Sequence, residues 1–387
     1  MEILRFATAL LVILLSGVPA IAEPQQDNKN HIASYWERLK ERTVHCGLCP
    51  RSCVIAEGQR GFCTVRINRS GTLYTLGYGN PVAVHIDPIE KKPFFHVLPG
   101  TKAYSIAVAG CNMRCLFCQN WQISQSRTDE VTAYDMPPEA VIEGAKRAGC
   151  PFIVYTYTEP TVFFEYMLDI CKLARKNGIR NGMHTCGYIN QEPLKELLHY
   201  MDAVNVDLKS FNPGFYKKMG SMADMASVLK TIKTVKDEGV WLELTNLVIP
   251  GQNDNPKEIR KMCEWIKENL GSEVPLHFSR FMPSFKLQNL PPTPVEKLEE
   301  AYKIAKDVGL KYVYIGNIPG HAFENTYCPN CKRIVVARIG YEILENNISG
   351  GKCKSCGRKI AGIWPSTTHY VRVLGTAPEA KGRMVRW

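Results

Sequence analysis

Short apolar segments alternate with amphipathic ones from about residue 103 to residue 320, and this alternation limits the fold more than any other feature. The apolar segments are hydrophobic on both faces of the pleat, as buried parallel strands are. The predicted strands are Tyr104–Ala109, Phe152–Tyr157, Arg180–His184, Ala203–Leu208, Trp241–Ile249, Pro275–Phe281 and Tyr312–Ile315. The pattern predicts an α/β fold with a parallel sheet, either a barrel or a doubly wound sheet.

The segments between the predicted strands have the periodicity of helices that bury one face. Several end close to a glycine, such as Gly178 and Gly309, and glycine commonly follows the last turn of a helix. The predicted helices are Pro138–Ala148, Val162–Lys176, Gln191–His199, Met225–Glu238, Pro256–Asn269 and Pro294–Asp307.

The first predicted strand leads into a cysteine loop. Cys111, Cys115 and Cys118 follow Gly110 with the spacing C-x3-C-x2-C, and Phe117 precedes the last cysteine. In parallel barrels the chemistry collects at the carboxyl ends of the strands. Three thiolates from one loop can hold three irons of a [4Fe-4S] cubane, which leaves the fourth iron open to another ligand. The loop therefore predicts an iron–sulfur cluster, with zinc or structural thiols as the alternatives.

Two further cysteine groups flank the predicted barrel. The C-terminal group has the spacing C-x2-C-x21-C-x2-C, and we expect structural zinc there because paired C-x2-C knuckles suit tetrahedral metal binding. A single iron is the rival, and disulfides are the alternative in an exported protein. The N-terminal group is less regular and can bind either zinc or a second iron–sulfur cluster. The two groups are Cys328, Cys331, Cys353 and Cys356, and Cys46, Cys49, Cys53 and Cys63.

The N-terminus conflicts with metal chemistry. An apolar run from Phe6 to Val18 follows Arg5 and leads into Ala20-Ile21-Ala22, a small-residue cleavage pattern. Residues 1–22 are therefore interpreted as a signal peptide or an anchor, although the run is short for a membrane span. Export would favour disulfides, whereas cluster chemistry favours the cytoplasm, so the sequence leaves the compartment open.

Composition sets broad limits on the chain. Its 387 residues are 45% hydrophobic, which is enough for one large core with small satellite modules. The formal net charge of +11 favours anionic partners. No run of lysine and arginine is dense enough for a nucleic-acid arm, so a solvated basic surface is the plainer interpretation, and nucleic acid stays among the partners that the sequence allows.

Together these motifs resemble radical S-adenosylmethionine (SAM) enzymes of the pyruvate formate-lyase activating-enzyme type, and more narrowly the radical SAM member of the AmmeMemoRadiSam system. The resemblance covers about residues 41–320, and for the narrower family nearly the whole mature chain. It implies an incomplete (β/α)6 barrel with a [4Fe-4S] cluster on Cys111, Cys115 and Cys118, and with Phe117 among the cofactor-binding residues. It also implies reductive cleavage of SAM to a 5′-deoxyadenosyl radical that abstracts hydrogen from a substrate.

The same resemblance suggests roles for other residues. Tyr157–Pro160 lies where the family's Gly-Gly-Glu-like motif contacts the SAM amino group, but the Gly-Gly pair is absent and only Glu159 is a candidate partner. Asp207 and Lys209 match the activating enzymes' Asp-x-Lys motif, in which the lysine would pair with the SAM carboxylate. Val248–Asp254 resembles a turn that packs near adenine.

Each of these assignments has a structural alternative. Glu159 could instead stabilise the start of the following helix through the helix dipole. Asp207 and Lys209 could form a local surface pair worth about 0–1 kcal/mol. His184 and His277 could line the site, but single histidines are more often satisfied groups of the core.

The sequence divides into segments with separate expectations. Residues 41–100 are expected to form the N-terminal four-cysteine module and a pre-barrel segment, 101–320 the barrel, and 321–387 a zinc-ribbon-like unit with the second four-cysteine group; residues 23–40 are interpreted as a linker with a helical pattern. The partners expected are a reductant protein of the ferredoxin or flavodoxin type, Memo-type and AMME-type proteins, and a protein or small-molecule substrate. The alternatives are an exported, metal-stapled binding or electron-transfer protein, and an RNA-binding protein.

Overall fold

The structure of the protein, a computed structural model, describes residues 31–365. The segment 1–22, interpreted above as a signal peptide or an anchor, lies outside the described residues, as does the end of the C-terminal segment from residue 366. Among the helices of residues 31–365, none has the length and apolar character needed to cross a membrane.

Two small antiparallel sheets form the N-terminal unit. One has the strand order β1-β6-β5 and the other β2-β3-β4. The strands are β1 (His31–Ile32), β2 (Trp36–Arg38), β3 (Val44–Cys46), β4 (Cys53–Ile55), β5 (Arg66–Arg69) and β6 (Thr72–Thr75). The predicted helical linker is wrong over residues 31–40, because β1 and β2 each find a partner strand there and pair with β6 and β3. Pairing with a distant strand outweighs a weak local helical preference.

An eight-stranded sheet forms the centre of the molecule, with the order β14-β13-β12-β11-β10-β9-β8-β7. Its strands are β7 (Ala83–Pro88), β8 (Lys102–Ala107), β9 (Phe152–Tyr155), β10 (Arg180–Thr185), β11 (Ala203–Asp207), β12 (Trp241–Val248), β13 (Leu276–Arg280) and β14 (Val313–Gly316). Strands β8 to β14 are parallel and follow one another in chain order, so the sheet is of the barrel type, and the predicted α/β class is confirmed. It contains one parallel strand more than a (β/α)6 barrel.

Strand β7 is the exception in this sheet. It comes from the pre-barrel segment and pairs antiparallel with β8 from Ala83 to Pro88. The pre-barrel segment therefore adds one antiparallel strand to the edge of the barrel sheet.

Eight helices in the described residues connect and cover the strands. They are α1 (Trp121–Ser124), α2 (Pro138–Arg147), α3 (Phe164–Lys176), α4 (Gln191–Leu198), α5 (Pro213–Met219), α6 (Met225–Asp237), α7 (Pro256–Leu270) and α8 (Val295–Val308). The six predicted helices are confirmed within two residues at each end, whereas α1 and α5 were not predicted. Gly309 directly follows the last residue of α8, and its φ of 103° is left-handed, as expected for a glycine after a helix.

The C-terminal unit consists of two small antiparallel sheets. Its strands are β15 (Thr326–Tyr327), β16 (Ile334–Ile339), β17 (Glu342–Asn346), β18 (Ile348–Ser349) and β19 (Lys352–Cys353). After β19 the chain returns to the pre-barrel segment, where the Ile363 N–H donates to His96 O at 2.7 Å and the Leu98 N–H donates to Ile363 O at 2.8 Å. These bonds fix the unit against the segment between β7 and β8.

Candidate active site

A cavity of about 350 Å³ lies at the carboxyl ends of the parallel strands. This volume is within the range of small-molecule sites, about 300–1,000 Å³. The residues that follow β8, β10 and β11 meet there, as expected for a parallel barrel. Among those that line it are Cys111, Cys115, Cys118, His184, Asp207 and Lys209. The cysteine loop and the Asp-x-Lys pair, separated by nearly 90 residues in the sequence, therefore share one cavity.

The cysteine loop is held in place by the N-terminal unit. Gly110 has a φ of 99°, and a Cβ atom there would lie 2.6 Å from Cys63 O, so only glycine fits. The Arg51 guanidinium donates from Nε to Asn112 O at 2.8 Å and from Nη2 to Gly220 O at 3.0 Å. One arginine thus ties the loop to the end of α5.

Two thiols of the loop, those of Cys111 and Cys115, are buried, Cys118 is partly buried, and the three have few polar partners. The Met113 N–H donates to Cys111 Sγ at 3.3 Å, and Cys118 Sγ lies 3.1 Å from Ser124 Oγ. Burial raises the pKa of the Cys115 thiol to about 11, although the positive charge of Lys209 opposes the shift. A cationic metal centre would stabilise the deprotonated thiolates and displace their protons.

Asp207 forms the centre of a charged triad. Its Oδ2 accepts a hydrogen bond from Lys209 Nζ at 2.8 Å, and its Oδ1 lies 2.9 Å from His184 Nε2. Burial disfavours the Asp207 carboxylate, but the charges of Lys209 and His184 outweigh burial and lower its pKa. Burial also opposes the Lys209 cation, yet Asp207 holds the pKa of Lys209 well above its ordinary value. Since Lys209 is only 8% exposed, this is a buried cation at the cavity wall, not a surface pair.

Phe117 packs beside the same cation. It is buried, its ring centroid lies 5.9 Å from that of Phe215, and Lys209 Nζ lies 5.6 Å from its centroid. Phe117 also lines the cavity. The contact with Phe215, on α5, shows that this unpredicted helix shapes the site.

Glu159 is fully buried, and its carboxylate is occupied by protein donors. It accepts from Thr161 Oγ1 at 2.7 Å, from Thr185 Oγ1 at 2.6 Å and from the Cys186 N–H at 2.7 Å. It also caps the 3₁₀ turn Pro160–Phe163 through the Thr161 N–H. This arrangement favours the helix-capping alternative, and a contact between Glu159 and SAM stays a prediction.

The two histidines differ in their surroundings. His184 is part of the Asp207 triad. His277 also lines the cavity, and its Nε2 lies 2.7 Å from Glu243 Oε2. Glu243 is fully buried and accepts from the backbone N–H groups of Phe95 and His96 as well. Burial opposes ionisation of Glu243, but His277 outweighs it and lowers the pKa of that carboxyl group.

The sequence did not reveal that the pre-barrel segment forms one wall of the cavity. Lys92 is 1% exposed, its Nζ lies 2.6 Å from Asp87 Oδ2, and it sits 4.0 Å from the centroid of the Tyr157 ring. Burial lowers the pKa of Lys92 to about 8, although Asp87 opposes the shift. Glu90 and Lys92 both line the cavity. The available signal was the apolar Pro93-Phe94-Phe95 run directly after these charges, which indicates that the segment turns inward.

The C-terminal cysteines converge as ligands of one ion would. All four sulfurs lie within 4.8 Å of one another. Cys328 Sγ lies 3.6 Å from Cys356 Sγ, and Cys331 Sγ lies 3.8 Å from Cys353 Sγ. A tetrahedral zinc ion with Zn–S bonds of about 2.3 Å separates its sulfurs by about 3.8 Å. The group can therefore bind a single metal ion, and zinc as its identity stays a prediction.

Comparison with known proteins found a matching family model, similar sequences and similar solved structures. Residues 105–266 match the family model of the radical SAM superfamily. The chain is 50% identical over 330 residues to the uncharacterized protein MJ0808 of Methanocaldococcus jannaschii, covering 85% of this chain and 98% of that protein. It is 25% identical to the pyruvate formate-lyase-activating enzyme of Streptococcus mutans over 44% of this chain and 67% of the relative. A radical SAM methyltransferase from Sphaerobacter thermophilus aligns with a TM-score of 0.46 at 14% identity, over 58% of this chain and 70% of that one.

Proposed function

The chain belongs to the radical SAM superfamily and is a radical SAM enzyme, and from this we propose that Cys111, Cys115 and Cys118 hold a [4Fe-4S] cluster at which SAM is cleaved reductively. The observation that carries the proposal is that all three thiols line one cavity together with Asp207 and the buried Lys209 that it pairs with. When bound, the cluster supplies the electron that splits the SAM sulfonium and gives a 5′-deoxyadenosyl radical for hydrogen abstraction.

The donor set of the loop suits this cluster. Three thiols from one loop can bind three irons and leave one iron free for SAM. The loop contributes no fourth cysteine, and the only other thiol that lines the cavity within residues 31–365 is Cys186. Burial of Cys111 and Cys115 keeps water away from the cluster position, which limits side reactions of a radical.

Lys209 is the residue that we assign to the SAM carboxylate. Its charge persists over the working pH range because Asp207 raises its pKa well above the ordinary value. Asp207 orients the ammonium group through the 2.8 Å hydrogen bond, and His184 in turn fixes the second oxygen of Asp207. A pre-formed buried cation costs little reorganisation when an anionic group binds beside it.

A protein segment is the substrate class that we favour. Relatives of the chain are named pyruvate formate-lyase-activating enzymes, and such a name describes action on another protein. The one-electron reductant would then be a protein of the ferredoxin or flavodoxin type. Memo-type and AMME-type proteins are the partners that we would test first, with a small molecule or an RNA base as other outcomes.

The rival function, an exported metal-stapled binding or electron-transfer protein, leaves the cavity without a role. If the cysteines served only to bind structural metal, the buried Lys209 cation at the strand ends would have no function. Structural metal is instead the plainer role for the C-terminal group alone, where four sulfurs converge on one point.

The decisive test is oxygen-free purification and reconstitution, followed by an assay for 5′-deoxyadenosine from SAM and dithionite. The wild-type chain should form the product, whereas replacement of Cys111, Cys115 and Cys118 with Ala should abolish it. Cys263→Ala is the matched control, because Cys263 is buried in α7 and is not among the residues that line the cavity. Intact cluster absorbance with no 5′-deoxyadenosine would refute the proposed reaction.

A further inference from the structure

The N-terminal cysteine group surrounds a small cavity of its own, lined by Cys46, Cys49, Cys53 and Cys63. We propose that these thiols hold a second iron–sulfur cluster, not a single zinc ion, and that this cluster passes electrons to the one on the Cys111 loop. The electron-passing part of the inference rests on the proposed function, whereas the metal site itself does not.

The local fold brings the four thiols together from separate turns. Cys46 and Cys53 lie opposite each other in the ladder of β3 and β4, and Cys49 lies in the turn that joins these strands. Cys63 comes from the next loop, before β5. Four thiols at such positions are more than packing requires, because a buried cysteine that merely fills space needs no other thiol beside it.

The spacing of the sulfurs distinguishes this group from the C-terminal one. In the part of the chain that the structure describes, only the C-terminal group places four sulfurs within 4.8 Å of one another, as a single ion requires. The N-terminal thiols line their cavity with wider spacing. An iron–sulfur cluster sets its cysteine sulfurs farther apart than a single ion does, because several irons and sulfides lie between them.

Two arginines place N–H donors against the same cavity, and the charge of one of them, Arg66, is balanced by Glu165. Arg66 is 1% exposed, and its Nη1 lies 3.8 Å from Cys46 Sγ. Arg51 lines the cavity from the turn between Cys49 and Cys53. Cations and N–H donors beside cysteine sulfurs stabilise the added electron of a reduced cluster, so the surroundings suit a redox centre.

The N-terminal cysteine group and the Cys111 loop lie close to each other in the fold. Asn112, the residue after Cys111, lines the N-terminal cavity and accepts the 2.8 Å hydrogen bond from Arg51 Nε. Gly110 packs so closely against Cys63 O that a side chain would not fit. The backbone of two loop residues therefore separates the proposed second cluster from the SAM-binding one.

Because the two sites are close together, we assign electron transfer as the role of the second cluster. A low-potential one-electron carrier protein reduces it by one electron, and its reoxidation delivers that electron to the cluster on the loop. No covalent bond forms or breaks in this transfer. Cys53 and Cys63 are only partly buried, so the group faces both the protein surface and the active site.

The test compares metal content in three variants of the full chain, purified without oxygen. A loop variant with Cys111, Cys115 and Cys118 replaced by Ala should keep iron, inorganic sulfide and the electron paramagnetic resonance signal of a reduced cluster. A second variant, with Cys46 and Cys49 replaced by Ala, should lose the iron of one cluster and keep the other. Cys263→Ala should keep both.

The outcomes separate this proposal from the previous one. If the loop variant contains zinc but no iron, the proposal of a second iron–sulfur cluster is wrong. This result does not depend on whether the Cys46/Cys49 variant folds. Absence of iron in a folded Cys46/Cys49 variant would instead refute the cluster on the loop.

A separate assay tests the relay, that is, the electron transfer from the second cluster to the cluster on the Cys111 loop. The Cys46/Cys49 variant should lose SAM cleavage driven by flavodoxin severalfold more than cleavage driven by dithionite, because the small reductant can reach the loop cluster directly. Equal losses with the two reductants would overturn the relay.

Discussion

The carboxyl group of Glu90 is buried and its pKa is raised. The free energy of unfolding of the protein should therefore fall as the pH rises. The Glu90 side chain is 1% exposed, and Oε1 accepts the Gly100 N–H at 2.8 Å, whereas Oε2 has no hydrogen-bond partner in the described part of the chain. Burial raises the pKa of Glu90 from 4.5 to about 7, although Arg338 opposes the shift. We predict that Glu90→Gln, which keeps the shape and removes the ionisation, abolishes this pH dependence.

The sign follows from proton binding. The folded chain holds the Glu90 proton more tightly than the unfolded chain, so its contribution to stability is complete below pH 4.5 and is lost as the pH rises through 7. A rise from 4.5 to about 7 corresponds to a total loss of about 3 kcal/mol, at about 1.4 kcal/mol per pH unit. About 2 kcal/mol of this loss falls between pH 5.5 and pH 8, where iron–sulfur proteins can be handled.

The assay is urea unfolding of the fully loaded, oxygen-free wild type and of Glu90→Gln at pH 5.5 and pH 8. The difference in the free energy of unfolding between the two proteins should change by about 2 kcal/mol in favour of the variant at the higher pH. Exposed Glu57→Gln serves as the control for removal of one charge. A difference that stays constant with pH, or that favours the wild type at pH 8, would refute the argument.

Three further substitutions test other parts of the structure. Lys209→Met should weaken SAM binding roughly tenfold to a hundredfold, because a charge-assisted hydrogen bond contributes about 1.5–3 kcal/mol; equilibrium dialysis measures this, and unchanged affinity would contradict the carboxylate assignment. Arg66→Met should cost about 3–5 kcal/mol of stability, because it leaves the Glu165 carboxylate buried without its ion pair; addition of Glu165→Gln should restore part of the loss in urea unfolding, and no recovery would contradict it. Cys328→Ser should remove one metal ion per chain, measured by elemental analysis, without loss of iron; a full metal complement would contradict a four-cysteine metal site.

The barrel could be predicted because its signals are local. A strand such as Phe152–Tyr155 is buried on both faces, so the sequence shows an uninterrupted apolar run. A helix such as α7 repeats buried apolar residues at helical spacing and begins behind the capping residue Asn255. Asp207 and Lys209 could be located at the edge of the sheet for the same reason, since they lie at the end of strand β11, which the sequence indicates.

The features that were not predicted from the sequence are either too short for a clear pattern or depend on contacts between residues that are far apart in the sequence. Helix α5 spans only Pro213–Met219, too short for a periodic pattern to stand out. Strand β7 is exposed on one side and acquires its role by pairing with β8. Lys92 has the sequence appearance of a solvated charge, and only the fold reveals that Asp87 and Tyr157 bury it. No local pattern distinguishes a buried cation of this kind from an exposed one.

The two small units contribute to the active site and are not appendages of the barrel. Arg51 of the N-terminal unit holds the cysteine loop through Asn112 O. Arg338 of the C-terminal unit is 2% exposed and donates to Phe95 O at 2.8 Å, and Phe95 in turn lines the cavity and packs 4.8 Å from the His277 ring. A guanidinium group from each unit therefore fixes one wall of the same cavity. Because a radical site tolerates little solvent or misalignment, we expect metal bound by the cysteine groups of the two units to stabilise the geometry of the cavity as well as the units themselves.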